Sequence, residues 1–200
     1  MVSGTKRLPR AVRERQMLDA AVTVFAHNGF HGASMDDIAV AAQISKPMLY
    51  LYLGSKEQLF AACIDREAVR FLDAVTSAVR PELPPRDQVA NGINSVFTFA
   101  AAHRSIWLVL YRQARLLPPF DQQAMAIHRQ AVGAVSQLLQ RSAWGKHPAE
   151  HFDSLAVALV GAGEALIDRM LDQSDPDPRA SAALLIDFAW HGLGGRRKQN

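Results

Sequence analysis

Apolar side chains recur along this chain at three- and four-residue intervals almost from end to end. Leu18, Ala21, Val22 and Phe25 stand at i, i+3, i+4 and i+7, the spacing that puts side chains on one face of an α-helix. No stretch alternates apolar and polar residues with the β-branched enrichment of a strand. The predicted fold class is therefore all-α. The first helix is expected from about Arg10 to Asn28, stopping at Gly29, a residue that accepts the left-handed backbone of a helix end.

Capping chemistry divides the next stretch. Ser34 precedes Met35-Asp36-Asp37, so its hydroxyl can cap a short helix from Met35 to about Ala42, with both aspartates near the positive end of the dipole. Gln43-Ile44 makes a turn. Ser45 is expected to cap a third helix, Lys46 to about Leu53, where Pro47 in the first turn forfeits no intrahelical bond. Gly54 ends it. Ser55-Lys56-Glu57-Gln58 reads as a second capping box, opening a long helix to about Arg80.

Proline punctuates the remainder. Helices are expected over Arg86–His103, Ser105–Leu116, Asp121–Trp144, Pro148–Gln173 and Arg179–Leu193, separated by Pro81-Glu82-Leu83-Pro84-Pro85, Pro118-Pro119 and Asp175-Pro176-Asp177-Pro178.

Two short helices joined by a tight turn form the helix-turn-helix pattern. The first helix braces the second, whose N-terminal side chains reach base edges in the major groove. Ile38, Ala39, Ala42, Ile44 and Leu49 supply the inner side, and Lys46, Met48 and Tyr50 are left outward.

The run Gly29-Phe30-His31-Gly32-Ala33-Ser34-Met35-Asp36-Asp37-Ile38-Ala39, followed by Ser45-Lys46-Pro47-Met48-Leu49-Tyr50-Leu51-Tyr52 and Ser55-Lys56-Glu57-Gln58-Leu59, resembles the DNA-binding signature of TetR-family repressors over about residues 10–60. The resemblance implies about nine helices. An N-terminal three-helix helix-turn-helix DNA-binding domain, residues 1–54, would precede an all-helical effector-binding and dimerisation domain, residues 55–200. It implies a homodimer on a palindromic operator in double-stranded DNA, released by a small-molecule effector whose identity the sequence does not give. Lys46, Pro47 and Met48 match the base-reading segment. Lys46 can donate to guanine N7 and O6, and Met48 can touch a thymine methyl. Ser34, Met35, Ser45, Tyr50, Tyr52 and Lys56 match positions that touch phosphates; Met35 can offer only its backbone amide. Packing between the third and fourth helices is the other reading for Tyr50 and Tyr52. The chain departs from the family at Gln43 and Pro47, where glycine is frequent, and at Leu53, where phenylalanine is. Gln43 strains the turn if a positive φ is needed there.

Charge, composition and chemistry refine this picture. Lys6, Arg7, Arg10, Arg13 and Arg15 against Glu14 leave a net +4 over the first fifteen residues, and Arg196, Arg197 and Lys198 add +3 near the end, against a formal total of +3. A polyanion is drawn to the N-terminal end and repelled by the body. No apolar run reaches the about 20 residues of a membrane span, and a lone Cys63 suits a reducing compartment. A soluble cytoplasmic protein is expected, with no membrane partner.

His147-Pro148-Ala149-Glu150-His151 fits one zinc-peptidase pattern, but Pro148 at the helix start leaves His147 outside it, so no metal or cofactor is expected. No phosphate loop, nucleophile elbow or activated cysteine points to an enzyme. Phe97, Trp107, Tyr111, Met125 and His128 on the middle helices, with Glu164, are the candidate effector-binding residues; plain core is the competing reading for the aromatics. Glu164 and Asp168, four apart, are either exposed or turned toward a ligand or a basic partner such as Arg129 or Arg141. Ala158, Gly161, Ala162, Gly163 and Ala165, with Leu185, Phe188 and Trp190, mark the last two helices as the dimer face.

Overall fold

The computed structural model describes residues 9–141 and 147–194; Lys6, Arg7, Trp144, Arg196, Arg197 and Lys198, named above, lie outside them. Among the described residues the chain is all-α, with nine α-helices: α1 Arg10–Gly32, α2 Met35–Ala41, α3 Lys46–Leu53, α4 Lys56–Ala78, α5 Pro85–Ala102, α6 Arg104–Ile106, α7 Asp121–Arg141, α8 Ala149–Leu171 and α9 Pro178–Gly194. None of these helices alone is long and apolar enough to cross a membrane. The chain packs as two compact units. The first runs to Glu67 and takes in Ser105–Asp121; the second holds Ala68–Arg104 and the chain from Gln122 on.

In the first unit, α1 buries Met17, Ala21, Val22 and Phe25, so the apolar stripe starts one residue earlier than Leu18, which is half-buried. The helix breaks at Gly29, with φ 68° and ψ 175°, and one more turn follows to Gly32. Phe60 of α4 sits edge-on to Phe25 at 4.8 Å and to Phe120 at 4.7 Å. Each such ring contributes about 1.5–3 kcal/mol on full burial. Cys63 is buried beside them, and burial pushes its thiol up to about 12. The carboxylate of Glu67 is buried as well, where a charge requires a partner. Arg66 supplies one at 2.9 Å and reaches Asp19 at 2.9 Å with its other nitrogen.

The expected single helix over Ser105–Leu116 is not formed. The α-turn of α6 widens into a π-helix, Trp107–Gln113, then tightens into a 3₁₀ turn, Ala114–Leu116, ahead of Pro118-Pro119. Trp107, Val109, Leu110 and Ala114 are buried; in sequence the i, i+3, i+7 part of that set reads as an ordinary α-helical face, and nothing local marks the wider winding.

In the second unit α5 lies along α9 and α8 packs on both. Phe97, Ala100, Ile167, Met170, Ala182 and Leu185 are buried in its core. The Arg104 guanidinium donates to the Leu171 carbonyl at 2.9 and 3.1 Å, satisfying a terminal acceptor of α8. Asp177 caps α9, accepting from the amides of Arg179 and Ala180 at 2.9 and 3.0 Å. The outward face expected of α8 and α9 is narrower than the sequence implied. Gly163 is buried, and a Cβ there would meet Leu185 of the same chain at 3.5 Å. Trp190 lies under the Arg86 guanidinium at 4.8 Å. Gly161 instead opens onto free space, and Val157, Leu184 and Phe188 are exposed.

Candidate nucleic-acid interface

The helix-turn-helix is built as its caps dictate. The Ser34 hydroxyl accepts from the Asp37 amide at 3.0 Å and donates to the Asp37 carboxylate at 2.6 Å. The reciprocal half of this box thus closes on the hydroxyl, because aspartate is one methylene shorter than the glutamate that reaches the cap's own amide. Ile38, Ala39 and Leu49 are buried, and Ala42 and Ile44 half-buried, so α2 braces α3 as the sequence predicts.

Gln43 carries the turn at φ 55°. That is the left-handed conformation in which a side chain costs about 1–2 kcal/mol, and it explains why glycine is the common residue there. The Ile44 amide then donates to Ala39 at 3.0 Å. Ser45 occupies the cap position of α3 but makes no side-chain capping bond, contrary to expectation. A cap serine bonds the second or third amide of its helix, and Pro47 removes the second. Gly54 ends α3 at φ 72°. Ser55 and Gln58 then exchange both bonds of a capping box, at 2.8 and 3.2 Å.

The nine residues expected at DNA lie as follows. Ser34 is half-buried and engaged by Asp37. The Met35 side chain is buried, leaving its backbone amide as its only polar offering. Ser45, Lys46 and Pro47 are exposed, and Met48 is half-buried at the flank of α3. Lys46 Nζ donates to Asp36 Oδ2 at 2.8 Å, and this hydrogen bond, with the charge of Asp36, holds its ammonium above the usual lysine range. Tyr50 is 45% exposed. Tyr52 is half-buried, with the Arg10 guanidinium 5.4 Å above its ring. Lys56 lies 4.8 Å over the ring of Phe30 and donates to the His31 carbonyl at 3.4 Å. Asp36 was not anticipated as a partner of Lys46: the two are ten residues apart, and only the folded turn joins them.

A pair of α-helices braced through a left-handed turn, presenting a lysine and a tyrosine on the outer side of the second, is the geometry of a DNA reader. Comparison with known proteins decides the family. The pattern of bacterial regulatory proteins of the tetR family matches residues 17–63, and that of the tetracyclin repressor-like C-terminal domain matches residues 85–192. The chain belongs to the TetR family. It is a DNA-binding transcriptional regulator and not an enzyme.

Among its relatives, the HTH-type transcriptional activator FasR of Mycolicibacterium smegmatis is 30% identical over 94% of this chain and 85% of its own length. The HTH-type transcriptional repressor SCO4008 of Streptomyces coelicolor is 31% identical over 52% of this chain and 50% of its own. A TetR-like regulator from Rhodococcus sp. RHA1 superposes with a TM-score of 0.78 at 47% identity, covering 95% of this chain and all of that one.

The six candidate effector residues of this TetR-family chain fall in both units. In the first, Trp107 is buried and stacked on Tyr111 at 5.0 Å, and the Tyr111 hydroxyl donates to the Glu67 carbonyl at 2.8 Å. In the second, Phe97 is buried, Met125 is 56% exposed, and His128 Nδ1 meets Glu164 Oε1 at 2.9 Å. This answers where Glu164 turns: toward α7. An open groove of about 700 Å³ in the second unit is lined by Ser77, Arg80, Asn91, Asn94, Thr98 and His103, among others, and by none of the six.

Proposed function

We propose that this regulator is a cytoplasmic repressor that holds a palindromic operator as a homodimer and releases it when a small molecule binds the helical body. In this reading residues 1–54 are the reader, and residues 55–200 carry effector binding and dimerisation. The observation that carries it is the exposed side of α3, where Lys46 stands beside Pro47 and Tyr50 while Leu49 anchors the helix inward. Lys46, Pro47 and Met48 address base edges. Ser34, Met35, Ser45, Tyr50, Tyr52 and Lys56 hold the phosphates on either side. Lys46 exchanges the charged carboxylate of Asp36 for the neutral N7 and O6 acceptors when a guanine edge takes its place.

Dimerisation is supported by the outer faces of α8 and α9. Val157, Leu184 and Phe188 are 54, 57 and 68% exposed, beside an open Gly161. A two-fold that packs these faces together makes a four-helix bundle. Effector release requires a ligand that prefers the DNA-incompetent state; equal affinity for both states shifts nothing. Phe97, Trp107, Tyr111, Met125, His128 and Glu164 are the candidates for that contact.

A second reading, activation, is favoured by FasR, which is named an activator. A reporter driven by a promoter carrying the selected operator separates the two. Expression that falls when the protein is supplied supports repression, and expression that rises overturns it in favour of activation.

A further inference from the structure

Leu51 is 75% exposed. It lies on α3, and the family signature read from the sequence assigned it no role. One exposed leucine is ordinary on a protein surface; the company it keeps is not. At roughly 100° per residue, Lys46, Tyr50, Pro47 and Leu51 fall within one arc of about 140°. These four are the exposed residues of the helix, while Leu49 is buried and Met48, Tyr52 and Leu53 are half-buried. The outer face of α3 therefore pairs one cation and one phenol with two apolar side chains.

The floor of the major groove presents hydrogen-bonding atoms on every base pair and a single apolar group, the C5 methyl of thymine. An aliphatic side chain turned into the groove leaves nearby polar base atoms without a partner, unless it covers that methyl. Resting on the reading of α3 as the DNA reader, we infer that Leu51 is a specificity-determining residue that packs on a thymine methyl in each half-site. Five residues separate it from Lys46, about 7.5 Å along the helix, so its thymine lies about two base pairs from the guanine that Lys46 reads. Leu51 faces outward on this helix, whereas Met48, expected from sequence to touch a thymine methyl, is half-buried at the flank, so the two would meet different positions of the half-site.

The test uses the full-length protein and a duplex that the wild type selects from a random-sequence pool. Each thymine is replaced in turn by deoxyuridine, which removes the methyl and nothing else. At one position in each half-site the wild type is expected to lose about three- to tenfold in affinity. Leu51→Ala, an exposed helical substitution that leaves the fold in place by circular dichroism, is expected to bind the thymine and uridine duplexes equally there. Met48→Ala retains the full sensitivity. The inference is overturned if no thymine in the selected site is sensitive. It is also overturned if Leu51→Ala keeps the sensitivity, or if Met48→Ala is the variant that loses it. Lys46→Ala separates this from the wider reading: if that variant binds the selected duplex like wild type, the α3 interface itself is wrong. If it weakens binding while Leu51 shows no coupling to a methyl, only the role of Leu51 falls.

Discussion

Lys46 Nζ and Asp36 Oδ2 stand 2.8 Å apart across the turn between α2 and α3. The carboxylate holds the ammonium in place and, in the proposed reading, puts a negative charge on the surface that meets phosphate. Lys46→Ala is expected to weaken binding to a selected operator roughly ten- to hundredfold and to flatten base preference. Asp36→Asn should raise affinity for a scrambled duplex of the same length while lowering the operator-to-scrambled ratio. Fluorescence anisotropy on the two duplexes measures both. An unchanged ratio in Asp36→Asn contradicts the positioning role.

Gln43 bears a conformation that suits glycine, φ 55°. Gln43→Gly is expected to raise stability by about 1 kcal/mol, the strain relieved less the entropy added to the unfolded chain. For a chain of this size that is about 2–4 °C in Tm. Calorimetry showing a lower Tm would mean that the glutamine side chain contributes more than its backbone costs.

Two glycines in α8 should behave oppositely. Gly161→Glu places its charge in open space and is expected to keep helix content while leaving the chain monomeric in sedimentation. Gly163→Glu drives a carboxylate against Leu185 of the same chain, which breaches the α8–α9 packing and lowers Tm by several degrees. A dimeric Gly161→Glu would move the interface away from this face.

Cys63 gives a pH-dependent signature. Its folded pKa, raised by burial to about 12, lies above the unfolded value near 9. Stability from the protonated thiol is therefore complete below about pH 9 and is lost as pH rises toward 12. The loss is at most about 1.4 kcal/mol per pH unit. Cys63→Ala should lack this component, so its stability should fall less steeply over that window. Parallel pH profiles for the two proteins would show that Cys63 ionises as freely folded as unfolded.

Much of this was legible in the residues themselves. The stop at Gly29, the boxes at Ser34 and Ser55, and the inner face of α2 all follow from local chemistry that the fold leaves intact. What escaped depends on partners brought from elsewhere or on competition between equals. The Ser45 cap is not made, and Pro47 removes one of its two possible donors, the second amide of α3. The π-helix over Trp107–Gln113 lies under a sequence pattern that reads as an ordinary α-helix. Gly161 and Gly163 stand two apart in one apolar run, and only the seat of Leu185 tells which faces inward. Lys46 and Asp36 meet only once the turn is closed. Leu51 needed no structure: a helical wheel on Leu49 places it outward.

The central claim is that α3 of a two-fold dimer reads DNA, and a hydroxyl-radical footprint on a duplex selected from a random pool tests it most directly. The account predicts two protected patches related by a two-fold, centred about one helical turn apart or slightly more, both absent for Lys46→Ala at the same concentration. A single unsymmetrical patch, or an unchanged footprint with Lys46→Ala, would contradict it.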